Sequence, residues 1–221
     1  MRKFLKLILI FSACLVAGCA SLPFLGGDEA PLSQRFQNFD YCEVPEVKQG
    51  SQRSCGMAAL ASVLRYWKED STLSEKDLRK KYPPKSEVGY PLAQLKEIAT
   101  EEGVLAFAVT LNQDPMAQLM SHLQKGRPVL VAAKVPKGRY FGENLPLVET
   151  LDRRVLVGLG DPMKAHYLVV MGMSERDVLL MDPQYGHVRT SRTQFQQFWK
   201  EMGYAALITS AVPKGVEVAS E

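Results

Sequence analysis

Val47-Lys48-Gln49-Gly50-Ser51-Gln52-Arg53-Ser54-Cys55-Gly56-Met57-Ala58-Ala59-Leu60 is the stretch on which the fold and the chemistry of this chain turn. A polar, turn-forming run gives way to an Ala-rich apolar one, so a helix begins beside Cys55 and holds the cysteine in its first turn. The positive end of a helix favours thiolate over thiol. Gln49, six residues earlier, and the Cys55 backbone N–H can converge on a developing oxyanion. Leu60, Val63, Leu64 and Trp67 recur at helical spacing, which predicts that this helix buries one face while its first turn borders a cleft. A thiol nucleophile needs a base, and the chain offers three histidines, His122, His166 and His187.

His166 opens Tyr167-Leu168-Val169-Val170-Met171-Gly172-Met173, an apolar, β-branched run that reads as a buried strand. Ser174-Glu175-Arg176 reads as a turn, and Asp177-Val178-Leu179-Leu180-Met181-Asp182 as the returning strand, stopped by Pro183. A hairpin centred on Glu175 puts Asp182 opposite Leu168 and makes His166 its diagonal neighbour on the same face, with Cβ atoms roughly 7 Å apart. An imidazole and a carboxylate bridge that gap, so Asp182 is placed to hold the tautomer of His166. A one-residue slip would separate them onto opposite faces.

Gln49, the Cys55-Gly56 pair opening an Ala-rich helix, the Gly126-Arg127-Pro128-Val129 strand start, His166-Tyr167 and Asp182-Pro183 together resemble a C39-like peptidase of the papain-like class. The resemblance covers roughly residues 40 to 210. It implies an α+β, papain-like fold with N-terminal helices packed on an antiparallel sheet. It also implies Cys55 as nucleophile, His166 as general base, Asp182 as its orienter and Gln49 as oxyanion donor, acting on a peptide or protein substrate without a cofactor. Cleavage after small residues such as Gly-Gly, and partnership with export or envelope machinery, are further implications. Many relatives have Pro where this chain has Met57, a mild departure because Pro is merely favoured in a first helical turn.

Each residue also has a plainer reading. An isolated Cys on an Ala-rich helix is commonly core, and a His beside a strand is commonly a hydrogen-bonded structural residue. His122 lies in an amphipathic helical pattern and reads as a surface or boundary residue, while His187, after Tyr185-Gly186, reads as a turn residue and a weaker candidate base. Neither Cys-x-x-Cys nor His-Glu-x-x-His spacing occurs, so no metal site is expected. Cys42 and Cys55 can form a disulfide in an oxidising compartment, which would block the nucleophile; the competing readings are a buried, inert Cys42, a redox latch, or a structural disulfide that excludes catalysis.

Arg2, Lys3 and Lys6 precede the apolar run Leu7 to Ala17, too short for a membrane span, and Val16-Ala17-Gly18-Cys19 resembles a bacterial lipobox. That resemblance implies a signal peptide at 1–18, diacylation of Cys19, and membrane attachment through that lipid. Without Asp after Cys19, the expected address is the cell envelope, at the outer membrane facing the periplasm in a two-membrane bacterium. The three basic residues of the signal account for the net charge of +3: the 27 basic residues become 24, equal to the 24 acidic ones. With no basic stripe interleaved with aromatics, nucleic-acid binding is not expected.

Residues 19–38, with Pro23, Gly26, Gly27 and Pro31, read as a tether, 39–213 as one domain, and 214–221 as a flexible tail. Gly26-Gly27 also resembles a double-glycine cleavage site. Helices are expected after Ser74, over Leu92 to Ala99, from Pro115 and from Ser191, with strands over 104–111, 128–133, 187–190 and 205–209. Residues 135–160, with Tyr140 and Phe141, read as an insertion overhanging the cleft. Two rival functions accompany the peptidase reading: a non-catalytic lipoprotein binding extended peptides in the same cleft, and a thiol acyltransferase or amide hydrolase. The spacing of 111 positions from Cys55 to His166 and the lack of Asp-Cys-Ser-Gly argue against the commoner cell-wall thiol hydrolases.

Overall fold

The computed structural model describes residues 40–70, 72–136 and 163–211. The expected signal, Cys19, the tether with Gly26-Gly27, most of the 135–160 insertion and the tail lie outside them. The described residues form α1 (Cys55–Lys68), α2 (Glu75–Lys81), α3 (Leu92–Glu101), β1 (Val104–Thr110), α4 (Pro115–Leu123), β2 (Val129–Pro136), β3 (Met163–Met173), β4 (Asp177–Asp182), β5 (Gly186–Ser191), α5 (Arg192–Lys200) and β6 (Ala205–Ala211). The strands make one antiparallel sheet in the order β1-β6-β2-β3-β4-β5. This is the α+β arrangement expected from the sequence.

Strand alternation divides the sheet between two sets of helices. Val129, Val131, Leu168, Val170, Val178, Leu180 and Ile208 pack with Leu119 of α4 and with Phe195, Phe198 and Trp199 of α5. The other face meets α1, where Trp67 donates from Nε1 to Thr209 Oγ1 at 2.9 Å and the Tyr167 ring lies against Gly56. Helices therefore cover both faces, with α4 and α5 opposite the helices of the N-terminal half.

α1 departs from the expectation of a single buried stripe. Every residue from Gly56 to Leu64 is buried, including Ala58, Ala59, Ala61 and Ser62. Small side chains let the sheet, α2 and α3 close around the helix, and a residue such as Leu60 becomes one of a ring of contacts rather than part of a stripe. Ser62, the one polar residue there, donates its hydroxyl to the Pro45 carbonyl.

The β3–β4 hairpin holds the second departure. The turn spans one residue more than expected, so Met173 pairs with Val178 and Gly172 with Leu179. A β-bulge between Val170 and Gly172 then takes up that residue, and Val170 pairs with Leu180 and Val169 with Met181. The two shifts cancel before the functional end, which restores the register that sets Asp182 opposite Leu168. The bulge has its own use. β2 begins only at Val129, opposite Val170, and beyond it the chain entering the domain takes its place, with Tyr41 bridging Gly172 and Cys42 N–H donating to Met171 O at 2.9 Å.

Gly172 is required by that approach. A Cβ there would lie 2.7 Å from Tyr41 Cβ and 2.9 Å from the Asp40 carbonyl oxygen, and backbone must move to admit it. Gly172→Ala is expected to lower stability by about 1–3 kcal/mol through overpacking. Urea unfolding of the two proteins measures this; equal midpoints and slopes would show that the entering segment is not held there.

Candidate active site

Ser54 precedes α1 without capping it. Its hydroxyl turns back, donating to Ser51 O at 3.0 Å and accepting from Ser51 N–H at 3.1 Å. α2, α4 and α5, by contrast, have Ser74, Asp114 and Ser191 accepting from first-turn amides. No side chain caps the start of α1, and Gly56 N–H is hydrogen-bonded to the Cys55 sulfur. Gly56 also admits the Tyr167 ring: a Cβ at this position would sit 3.0 Å from that ring and 3.3 Å from Leu95 Cδ1. Tyr167 is fixed in turn by its hydroxyl, which donates to Tyr90 O at 2.9 Å.

On the sheet, β4 stops at Asp182, so β3 residues before Leu168 lack a β4 partner. α1 delivers Cys55 to this end. The thiol is half-buried and hydrogen-bonded to the His166 ring and the Tyr167 backbone N–H. Across β3, His166 and Tyr167 face Ala133 and Ala132 of β2, small residues opposite two large ones. His166 Nε2 meets Asp182 Oδ1 at 3.0 Å, with His166 3 % exposed and Asp182 wholly buried. With Nε2 engaged by the carboxylate, Nδ1 is the nitrogen that serves Cys55. Asp182 Oδ1 also accepts from Gln184 N–H at 2.7 Å and from Tyr185 N–H at 3.3 Å. The turn after β4 thus satisfies the buried carboxylate and fixes its aim.

The electrostatics follow from this geometry. Burial pushes the Cys55 thiol up, but the His166 hydrogen bond and charge, with the Tyr167 and Gly56 amides, outweigh it and bring the thiol below its ordinary value. Burial alone would lower His166; hydrogen bonds and charges of Asp182 and Cys55 instead raise it to about 9. Both shifts favour thiolate beside imidazolium over thiol beside neutral imidazole. Tyr167, buried next to that thiolate, is pushed up to about 12 and stays a neutral donor.

Gln49 reaches the same end by a different route: its N–H donates to Pro183 O at 2.8 Å, directly after Asp182. Its Oε1 is buried and has no hydrogen-bond partner. A buried acceptor oxygen left unsatisfied costs about 1–3 kcal/mol. The structure therefore brings together Cys55, His166 and Asp182 and anchors Gln49 to the residue that follows Asp182. His122 lies apart, at the end of α4 and half-buried, a boundary residue as expected. His187 is on strand β5, directly after the turn at Tyr185-Gly186 and within the strand expected over 187–190, and its Nε2 bonds Val44 O at 2.9 Å. Cys42 and Cys55 are free thiols; Cys42 is buried against Tyr66, and burial pushes its thiol up.

A family model matches residues 41–207, and it is that of the peptidase C39-like family. The chain belongs to this family. Among solved structures, a Bacillus anthracis protein described as C39-like matches with TM-score 0.55 and 19 % identity, over 78 % of this chain and 97 % of that one. A double-glycine-motif protease from an AMS/PCAT transporter, in complex with the leader peptide, matches at 0.53 and 18 %, over 78 % and 94 %. The peptidase domain of Streptococcus ComA, a bifunctional ABC transporter of a quorum-sensing pathway, matches at 0.53 and 21 %, over 77 % and 100 %. At these identities the structures share the fold. No curated protein matches the sequence.

Sequence reading did not find the part played by Tyr167 in this C39-like domain. Its backbone N–H serves the thiol and its ring seats on Gly56, and the only local signals were the Gly after Cys55 and the aromatic after His166. The C39-like site predicts a graded response to substitution. Asp182→Asn is expected to be milder than loss of His166, because thiolate–imidazolium pairs are already partly formed in the ground state, so orientation contributes less than the base itself. Removing the anion that raises His166 also moves the alkaline limb of the activity profile below about 9. A pH–rate profile of the variant measures both; damage equal to His166→Ala with an unmoved limb would show that Asp182 has another role.

Proposed function

We propose that this C39-like protein is a lipid-anchored cysteine peptidase that cleaves by acyl transfer. The observation that carries the reading is the contact series from Cys55 to His166 to Asp182. The Cys55 thiolate adds to a peptide carbonyl, forming a C–S bond and an oxyanion. The Cys55 backbone N–H and the Gln49 carboxamide receive that charge. The C–N bond breaks as His166 gives its proton to the leaving amine, and His166 then takes a proton from the water that hydrolyses the thioester. The hydrogen bond from Gln49 N–H to Pro183 O, the residue after Asp182, supports the Gln49 assignment by holding it at the same end of the sheet.

A peptide substrate is supported by the related protease held in complex with its leader peptide. We extend this to cleavage after small residues, in the maturation of an exported or envelope protein. The lipobox-like Val16-Ala17-Gly18-Cys19 supports attachment at Cys19 and an envelope location. Domain limits of 39–213, after a 1–18 signal and a 19–38 tether, belong to the same proposal.

Labelling with an electrophilic peptide probe across pH, followed by mapping of the modified residue, tests the reading. Labelling at Cys55 is expected to begin at a lower pH than that of an ordinary thiol, because the depressed pKa leaves more thiolate there. Peptide cleavage should rise with pH through that same titration and fall as pH passes about 9, where His166 loses the proton owed to the leaving amine. Labelling that begins only near the pKa of a free thiol, or maps to Cys42, would remove the nucleophile from the proposal. Selective capture of peptides without turnover would favour the binding-module alternative.

A further inference from the structure

We infer that His187 is a positioning residue for Gln49, holding the oxyanion donor in register with the base; the inference rests on the peptidase reading above. The residues between Val44 and Gln49 form a short bridge fixed at both ends by the β4–β5 unit. At one end His187 Nε2 bonds Val44 O at 2.9 Å, and at the other Gln49 N–H bonds Pro183 O at 2.8 Å. Val44 is wholly buried and Val47 nearly so, which fixes the bridge from beneath. Its middle presses on β5: Glu46 Oε2 lies 3.7 Å from His187 Nδ1, and Lys48 Nζ lies 3.0 Å from Glu46 Oε1. The Glu46 and Lys48 head groups occupy the space a Cβ on Gly186 would need, and Gly186 has φ +85°.

His187 needs Nε2–H to donate to the Val44 carbonyl, which leaves Nδ1 facing the Glu46 carboxylate. The side chain is about nine-tenths buried, so the ring is held by its surroundings rather than by chance contact. The same β4–β5 unit orients the base, since Asp182 pairs with Gly186 across the two strands and bonds His166. One turn therefore sets both ends of the chemistry: Asp182 aims the imidazole, and Pro183 with His187 places the backbone that carries Gln49. A donor misplaced by about 1 Å loses much of its effect on an oxyanion.

Two electrophiles separate this role from simple stability. Iodoacetamide alkylates the thiolate without passing through an oxyanion. The p-nitrophenyl ester of an N-blocked diglycine acylates it through one, forming the thioester C–S bond and releasing p-nitrophenolate. Both are applied to the full chain in detergent. His187→Leu, which keeps volume but cannot donate, should alkylate within about twofold of wild type while acylating about tenfold more slowly. His187→Gln, with an amide N–H near the Nε2 position, should recover most of the acylation rate. Gln49→Ala should lose about 10²-fold in acylation, and adding His187→Leu to it should cost nothing more. Should His187→Leu not fold, His187→Ser serves the same comparison.

Additive losses in the double variant, or equal losses of alkylation and acylation, would overturn the inference and leave His187 a structural clamp. Wild-type protein that alkylates at Cys55 but never acylates would instead end the peptidase reading itself.

Discussion

Cys55→Ala is expected to abolish peptide cleavage, by on the order of 10⁴-fold or more, while the domain keeps its fold. The loss is large because no other group can take the thiolate's place in the covalent step. The fold survives because the bonds of the sulfur go to His166, Tyr167 N–H and Gly56 N–H, none of which relies on it for packing. Alanine also suits the opening of a helix whose next turns already contain Ala58, Ala59 and Ala61. His166→Ala should fall nearly as far, since it removes the base and the charge that keeps the thiol ionised. Turnover of a peptide substrate beside thermal unfolding of each variant makes the measurement. Biological activity retained by Cys55→Ala would replace the enzyme with a peptide-binding module of the same fold.

The second large effect concerns where the protein resides. Cys19→Ser should give a chain that is not lipidated and a precursor that is poorly processed, because acylation of that thiol precedes signal removal in lipobox-type proteins. A diacyl anchor buries enough methylene groups to hold a domain stably at a membrane, where a single chain does not. Fractionation and intact mass are the measurements. Wild type in the soluble fraction, or a mass with an unmodified thiol at Cys19, would end the lipoprotein proposal and leave the peptidase proposal standing. Residues 19–221 have balanced charge, 24 basic against 24 acidic, so electrostatic attraction to anionic lipid would not imitate the anchor.

Much of the site was legible before any coordinates because its chemistry is local. A helix that opens at Cys55 needs only the switch from polar turn residues to Ala58, Ala59 and Leu60, and α1 begins at that residue. The strand carrying His166 and the one ending at Asp182 declare themselves by apolar runs and by Pro183, and the same-face relation follows from the two-residue period of a strand. The expected hairpin reached the right register at Asp182 even though its turn is one residue longer, because a bulge at the far end compensates. Sequence periodicity is blind to a bulge that interrupts an unbroken run such as Val169 to Met173.

What the sequence determined by itself is the set of elements, the placement of Cys55 at a helix start, and the pairing of His166 with Asp182 through strand periodicity. All three depend on contacts within one element or one hairpin. Tertiary structure alone decided the rest: that α1 is buried all round, that Tyr167 N–H serves the thiol, and that Gln49 is anchored beside Asp182 while His187 holds Val44. The bonds from Cys42 to Met171, from Val44 to His187 and from Gln49 to Pro183 join residues more than a hundred positions apart. No local propensity or period encodes such contacts, because they form only when packing of the whole sheet brings its distant ends together.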